Sequence, residues 1–332
     1  MAIIGNKFLD LVDLYKRQDG NGGIHHVIEM LTKMNPVMED ALAVECNMGH
    51  KHRTTVRGGL PSVTWGRFYK GIPNSKSKIV QVDDTTGFVE ALSTVDERLL
   101  KVSDNEAAVR LSEASSFLES MSQEVETKFF YANDSVDPDQ FLGLAPRFND
   151  LSAASGAQVV DAGGTGADNM SIWFVIWGEN QTHLLYPKGT MAGITREDKG
   201  SQRVLDPDGN AYYAKEELFT QHIGLTVRDF RYVSRIANID VSELKAGNVQ
   251  LYDFMRAAYY RLWHRRNKVG KPCIYMNRDA LEALDALATN RGANDSFVRL
   301  TRKEIEGEEV MTYRSMVIRE TDSLINSEAR VV

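Results

Sequence analysis

Cysteine is nearly absent from this chain. Among 332 residues only Cys46 and Cys273 occur, far apart and outside any CxxC pair, which argues against a disulfide or zinc framework. Catalytic signatures are missing as well. No GxSxG, HExxH or GxxxxGKS/T is present, so the commonest hydrolase, metalloprotease and phosphate-loop chemistries have no motif to stand on. The longest strongly apolar run, Ile172 to Trp177, is far short of the about 20 residues that span a bilayer. The amino terminus, MAIIGNKFLDLVDLYK, has no apolar signal segment. The expectation is a cytoplasmic product with no membrane stage and no cofactor.

Carboxylates are absent from one long stretch. Between Glu45 and Asp83 there is none, while Lys51, Arg53, Arg57, Arg67, Lys70, Lys76 and Lys78 all fall within it. The net charge of -7 therefore hides a division: without those seven cations, 32 basic side chains face 46 acidic ones. The same stretch is rich in turn formers (Gly58-Gly59, Pro61, Gly66, Gly71, Pro73-Asn74-Ser75), so it cannot build a core and predicts an extended hairpin ordered by another surface. A basic limb on an acidic body can bind nucleic acid or the acidic body of the next copy. Its aromatics Trp65, Phe68 and Tyr69 suit base stacking, whereas Val63, Trp65, Ile79, Val80 and Val82 have strand spacing that suits packing on protein.

The 42% of hydrophobic residues is enough for a core of one or two domains. Phe8, Leu11, Val12 and Tyr15, and then Ile24, Val27, Ile28, Leu31 and Met34, have the spacing of two short amphipathic helices on a tether. Ser103 and Glu106 have the spacing of a capping box. From there Ala107, Leu111, Ala114, Leu118, Met121, Val125 and Phe129 trace one apolar stripe along a helix over 104–131, roughly 42 Å long at about 1.5 Å per residue. Leu111, Leu118 and Met121 are expected to be buried, and the other faces of this helix are strongly acidic.

Further on, Ser171–Trp177 and His183–Tyr186 predict two strands of a buried hairpin closed by Gly178–Gln181. Asp206–Asn210 predicts a reverse turn, Ile223–Ile239 one long strand, 248–266 a helix with basic residues late, Asn277 a helix cap, and Val310–Arg319 a final strand.

The remaining motifs weigh toward structure. Gly163-Gly164-Thr165-Gly166 leads into a strand, whereas a dinucleotide fingerprint needs a helix, so it reads as a loop. Asp206-x-Asp208-Gly209 lacks the glutamate that completes a calcium loop. His25-His26, His50, His52 and Cys46 would hold a metal only if distant segments converged.

The order of parts (tethered arm, basic hairpin, spine-like helix, mixed α/β region) resembles the major capsid proteins of tailed bacteriophages with the HK97-type fold. Trp177–Asn180, Tyr186–Gly193, Leu225–Asp229 and Arg235–Ile239 are similar, more narrowly, to the group that includes the epsilon15 capsid protein. The resemblance implies an α+β fold with an amino-terminal arm over 1–45, an extended loop over 46–90, a peripheral domain over 91–150 carrying the spine helix, and a mainly axial domain over 151–332. It also implies pentamers and hexamers of an icosahedral head around double-stranded DNA, assembled in the host bacterial cytoplasm into the virion. A portal and a cement protein are implied partners. The spine helix begins too early to leave room for a cleaved scaffolding region, so a separate scaffolding protein is expected. No catalytic, cofactor or metal residue is expected. Charge complementarity singles out Arg57, Arg67, Lys70, Lys76 and Lys78 as intersubunit contacts, lying over Glu113, Glu119 and Glu126 of a neighbour. The alternative, a nucleic-acid-binding protein using the basic 46–82 arm, stays open at this point.

Overall fold

A computed structural model describes residues 35–103, 105–289, 300–305 and 308–332. Both amino-terminal helices expected from the sequence lie outside the described residues. In chain order the strands are β1 (Ala43–Glu45), β2 (Lys51–Gly59), β3 (Lys78–Asp96), β4 (Val159–Asp161), β5 (Asn169–Trp177), β6 (Thr182–Tyr186), β7 (Ile194–Leu205), β8 (Ala211–Val227), β9 (Val233–Asp240), β10 (Lys271–Met276), β11 (Thr301–Ile305), β12 (Glu308–Tyr313) and β13 (Met316–Glu320). They join in one sheet ordered β11-β12-β13-β10-β5-β6-β8-β3-β2, with β1 beside β6, β9 between β4 and β5, and β7 beside β8.

Every residue of β5 is buried, and the period of two explains how. Met170, Ile172, Phe174 and Ile176 enter one core with Leu251, Met255 and Ala258 of the helix Leu251–Arg261 and with Leu284 of the helix Arg278–Thr289. The alternate residues Trp173, Val175 and Trp177 enter a second core with Phe129, Phe130, Leu144 and Phe148. The central sheet is thus covered on both faces. Asn277 caps the helix that follows β10, its Oδ1 accepting the Ala280 amide at 3.0 Å, as the sequence predicts.

The spine helix runs from Glu106 to Tyr131. Its cap is Asn105, whose Oδ1 accepts the Ala108 amide at 3.1 Å. The Ser103–Glu106 box does not form: the Ser103 hydroxyl takes the Asn105 amide instead. The stripe is also turned from its expected direction. Val109, Ala114, Met121, Val125, Glu126, Phe129 and Phe130 are buried, while Leu111 and Leu118 are 64% and 37% exposed. Phe117 takes the inward place, stacking on Phe219 of β8 at 6.2 Å, because the larger ring covers the narrow ribbon of β3 and β8 beneath it better than Leu118 would.

Three strand assignments are corrected. β5 and β6 are not a hairpin: they touch in parallel at one residue pair, Trp177 with Thr182, and β6 pairs with β1 and β8 instead. The stretch 223–239 is broken by a 3-10 turn at Phe230–Tyr232 into the end of β8 and β9. The expected strand 310–319 is a hairpin, β12 and β13, turning at Arg314 and Ser315 with φ of 48° and 72°. The Asp206 turn is present, with the Asp206 amide on the Asn210 carbonyl at 2.9 Å, and it closes the long β7–β8 ribbon.

Candidate assembly interface

The basic stretch is a projecting hairpin. β2 and β3 pair from Lys51 with Thr85 to Gly59 with Lys78, and β3 then continues without interruption into the body, pairing with β8 from Thr86 to Asp96. One strand therefore serves both arm and body, crossing residue 90 without a break.

The root of the hairpin is locked on both faces. Outside, the Arg53 guanidinium donates to both oxygens of Asp83 at 2.7 Å, and this contact holds the Asp83 carboxyl below its usual range. Inside, Asp84 accepts from Arg147 at 2.8 Å and from the Thr226 hydroxyl. His52 meets the Arg228 guanidinium at 3.1 Å through Nε2, so that nitrogen is the acceptor. His183 stands edge-on to His52 at 5.7 Å. Burial, with Arg228 and His52 beside it, pushes the His183 imidazole down to about 4. Among the described residues no group of three His, Cys, Asp or Glu side chains can hold a metal ion.

The tip, residues 60–77, has no such support. Leu60, Val63, Trp65, Phe68, Tyr69 and Ile72 are between 79% and 110% exposed, and the tip is tied mainly by a Lys70 to Arg67 turn and a 2.8 Å bond from the Ser75 hydroxyl to the Ser62 carbonyl. Val63 and Trp65 fall outside the strands. Arg57, Arg67, Lys70, Lys76 and Lys78 are all exposed, and among the described residues none of the five is ion-paired. Exposed apolar side chains clustered with cations that have no ion pair have the composition of a binding surface.

Glu113 and Glu119 of the spine helix are half-exposed. Glu126 is corrected: it is fully buried, accepting the Thr321 hydroxyl at 2.6 Å and the Val37 amide at 3.3 Å. It is therefore not available to a neighbour. Burial pushes its carboxyl up to about 7, against those two hydrogen bonds and with Asp40 and Glu39 adding to the rise.

Beside the lower half of this helix runs a groove the sequence reading missed. Val125, Phe141 and Ile223 form its buried apolar floor and the exposed Phe88 one wall. Glu90, Glu124, Asp137 and Asp139 line it too, against one lysine, Lys128. Gly87 makes the groove possible, since a Cβ there would meet the Asp139 carbonyl at 2.9 Å. The available signal was the acidic turn Asp137-Pro138-Asp139, which only the fold sets beside Glu124.

A two-sided central sheet, a long helix over its ribbon and a projecting arm define a class: the shell-forming capsid subunits of the HK97-like fold. The model of the family "Major capsid protein GP7" matches residues 19–332, and the chain belongs to that family. Among solved structures, that of bacteriophage epsilon15 is 35% identical, with 100% of this chain and 99% of that chain covered and a TM-score of 0.78. The holo-SrpI encapsulin complex of Synechococcus elongatus is 9% identical over 70% of this chain and 96% of that one, with a TM-score of 0.46. The capsid of the native GTA particle is 11% identical over 66% and 96%, with a TM-score of 0.43. A comparison with curated proteins finds no match. The chain is a structural subunit of a phage capsid, an icosahedral shell, and not an enzyme.

Proposed function

We propose that the chain closes its shell from pentamers and hexamers by laying the 60–77 tip of each hairpin along the acidic groove and spine helix of an adjacent copy. The observation that carries this is the exposure of six large apolar side chains on the tip. Fully burying one such side chain contributes about 1.5–3 kcal/mol, so six contribute on the order of 10 kcal/mol before the cost of association. An exposed ion pair contributes only about 0–1 kcal/mol. The apolar anchors therefore drive docking, and Arg57, Arg67, Lys70, Lys76 and Lys78 select the register against Glu113, Glu119, Glu124, Asp137 and Asp139. The same reading includes a separate scaffolding protein, a portal, a cement protein and double-stranded DNA inside, with assembly in the host cytoplasm.

The test is sedimentation of full-length chain expressed with its scaffold. Trp65→Ala combined with Phe68→Ala should abolish shell-sized particles while leaving a folded subunit. Lys70→Glu with Lys76→Glu should do the same, and Glu124→Lys with Asp139→Lys should restore part of the yield. Normal shells from the double aromatic variant would overturn the proposal.

A further inference from the structure

We propose a second binding surface, on the helix Leu251–Arg261 and the turns beside it, that takes the phosphate backbone of a nucleic acid. The sequence holds a second acid-free stretch: from Phe254 to Arg278 there is no carboxylate, while Arg256, Arg261, Arg265, Arg266, Lys268, Lys271 and Arg278 fall within it. Unlike the hairpin tip, this stretch is built on a core. Leu251, Met255, Ala258 and Leu262 are buried beneath it.

Its arginines are stacked on rings. Arg231 and Arg266 sit over Trp263 at 4.6 and 5.1 Å from its centroid. Arg265 and Arg314 sit over Tyr260 at 5.1 and 5.3 Å. Stacking fixes the plane of a guanidinium and reduces its hydration, yet consumes few of its five N–H donors, which then form a preset fork for a bidentate oxyanion. Arg314 also occupies the tight turn between β12 and β13 at φ 48°, where glycine or asparagine is easier to place.

Counting partners separates the structural cations from the others. Arg256 pairs with Asp253 at 2.9 Å, Arg231 with Asp229 at 2.6 Å and Lys271 with Asp40 at 2.7 Å, and Arg261 donates to the Val159 carbonyl. Among the described residues Arg265, Arg266, Lys268 and Arg314 are ion-paired with no carboxylate. The carboxylates flanking this stretch are engaged, Asp229 and Asp253 as above and Asp279 by Lys245. The patch thus has no unspent carboxylate beside it, and the acidic groove of another copy is the surface proposed above for the hairpin tip. A duplex offers one negative charge per about 1.7 Å of axis. With guanidinium and ammonium groups as its donors, the surface contacts the backbone without reading sequence.

The inference rests on the capsid reading only for the presence of a genome; binding is measured on the full-length subunit before assembly. The probe is a short mixed-sequence DNA duplex, titrated by fluorescence anisotropy across a salt series. Four phosphate contacts give log K against log salt a slope near -3.6, about -0.9 per contact. The variant Arg265→Ala, Arg266→Ala, Arg314→Ala should lose at least about tenfold in affinity and make the slope shallower by about 3. If that triple variant fails to fold, Arg265→Ala and Arg266→Ala separately should each remove about one from the slope. Arg266→Lys, which keeps the charge but weakens the fork, should retain the slope with weaker binding. Unchanged slopes would overturn the proposal. So would loss of shells with DNA affinity intact, which assigns the patch to contact between copies. Transfer of the salt dependence to Lys70→Glu with Lys76→Glu would overturn it in favour of the hairpin, and failure of those hairpin variants to block assembly bears only on the docking proposal.

Discussion

The hairpin tip and β5 are opposite uses of the same residues. Both carry tryptophan, phenylalanine, isoleucine and valine. In β5 all nine positions are buried between two cores, whereas on the tip Trp65 and Phe68 are 99% and 94% exposed. The difference lies in what surrounds them. β5 has strands on both edges and helices on both faces, while the tip follows a two-stranded ribbon that leaves the body, where nothing among the described residues covers it. Apolar side chains mark a core in the first case and an unfinished contact in the second.

The comparison breaks most sharply on one residue type. Trp173→Ala in β5 removes a ring packed between Phe130 and Phe148 at 6.3 and 6.0 Å, and should cost about 3–5 kcal/mol. Trp65→Ala should change the unfolding free energy of the unassembled subunit by less than about 0.5 kcal/mol. Chemical denaturation of both variants, read against wild type, checks this. Equal losses would mean that the tip folds back on its own subunit.

The spine helix repeats the contrast within one element. Met121→Ala should cost about 2–5 kcal/mol, and Leu118→Ala, on the partly exposed side, less than about 1 kcal/mol. A thermal melt of the pair distinguishes the observed face from the one expected from the sequence, on which both would be costly.

The third outcome is a pH slope. Glu126 has a folded-state value of about 7 against an ordinary 4.5, so the fold binds its proton more tightly than the unfolded chain. Its contribution is fully present below pH 4.5 and is lost as pH rises through 7, at most about 3 kcal/mol in all. His183, held at about 4, acts with the opposite sign: its contribution is present above pH 6.5 and lost as pH falls toward 4. Between pH 4.5 and 6.5 the two slopes oppose each other, so wild-type stability should change little there and fall slightly as pH rises from 6.5 through 7, whereas Glu126→Gln should leave the His183 rise alone, with stability climbing between pH 4 and 6.5. An unchanged slope would show that Glu126 ionises without cost in the fold.

Much of this architecture was legible in the sequence. The acid-free run announced a projecting hairpin, and the apolar run Ile172–Trp177 announced a strand buried on both faces. Partner choice was not legible. Gly178–Gln181 looks like a hairpin turn, but a turn does not name the strand that follows it into the sheet, and β6 went to β1 and β8. The β7–β8 ribbon was missed because β7, Ile194-Thr195-Arg196-Glu197-Asp198-Lys199 onward, is almost wholly exposed and shows little apolar alternation for a period of two to reveal. Glu126 looked like its exposed acidic neighbours because the groups that bury it, Thr321 and Val37, are 195 and 89 residues away. The acidic groove was hidden for the same reason: its carboxylates come from β3, the spine helix and the turn after it.

The continuity of β3 has a mechanical consequence. Under the docking proposed above, a load applied at the tip along β3 meets a strand bound to β8 through eleven register pairs, Thr86 with Gly224 through Asp96 with Ala214. Loaded lengthwise, those rungs must give way together; they cannot be peeled one at a time. The arm then behaves as a tie rod whose root outlasts its far end, so an overloaded shell should part first where a tip grips its neighbour, leaving each subunit folded.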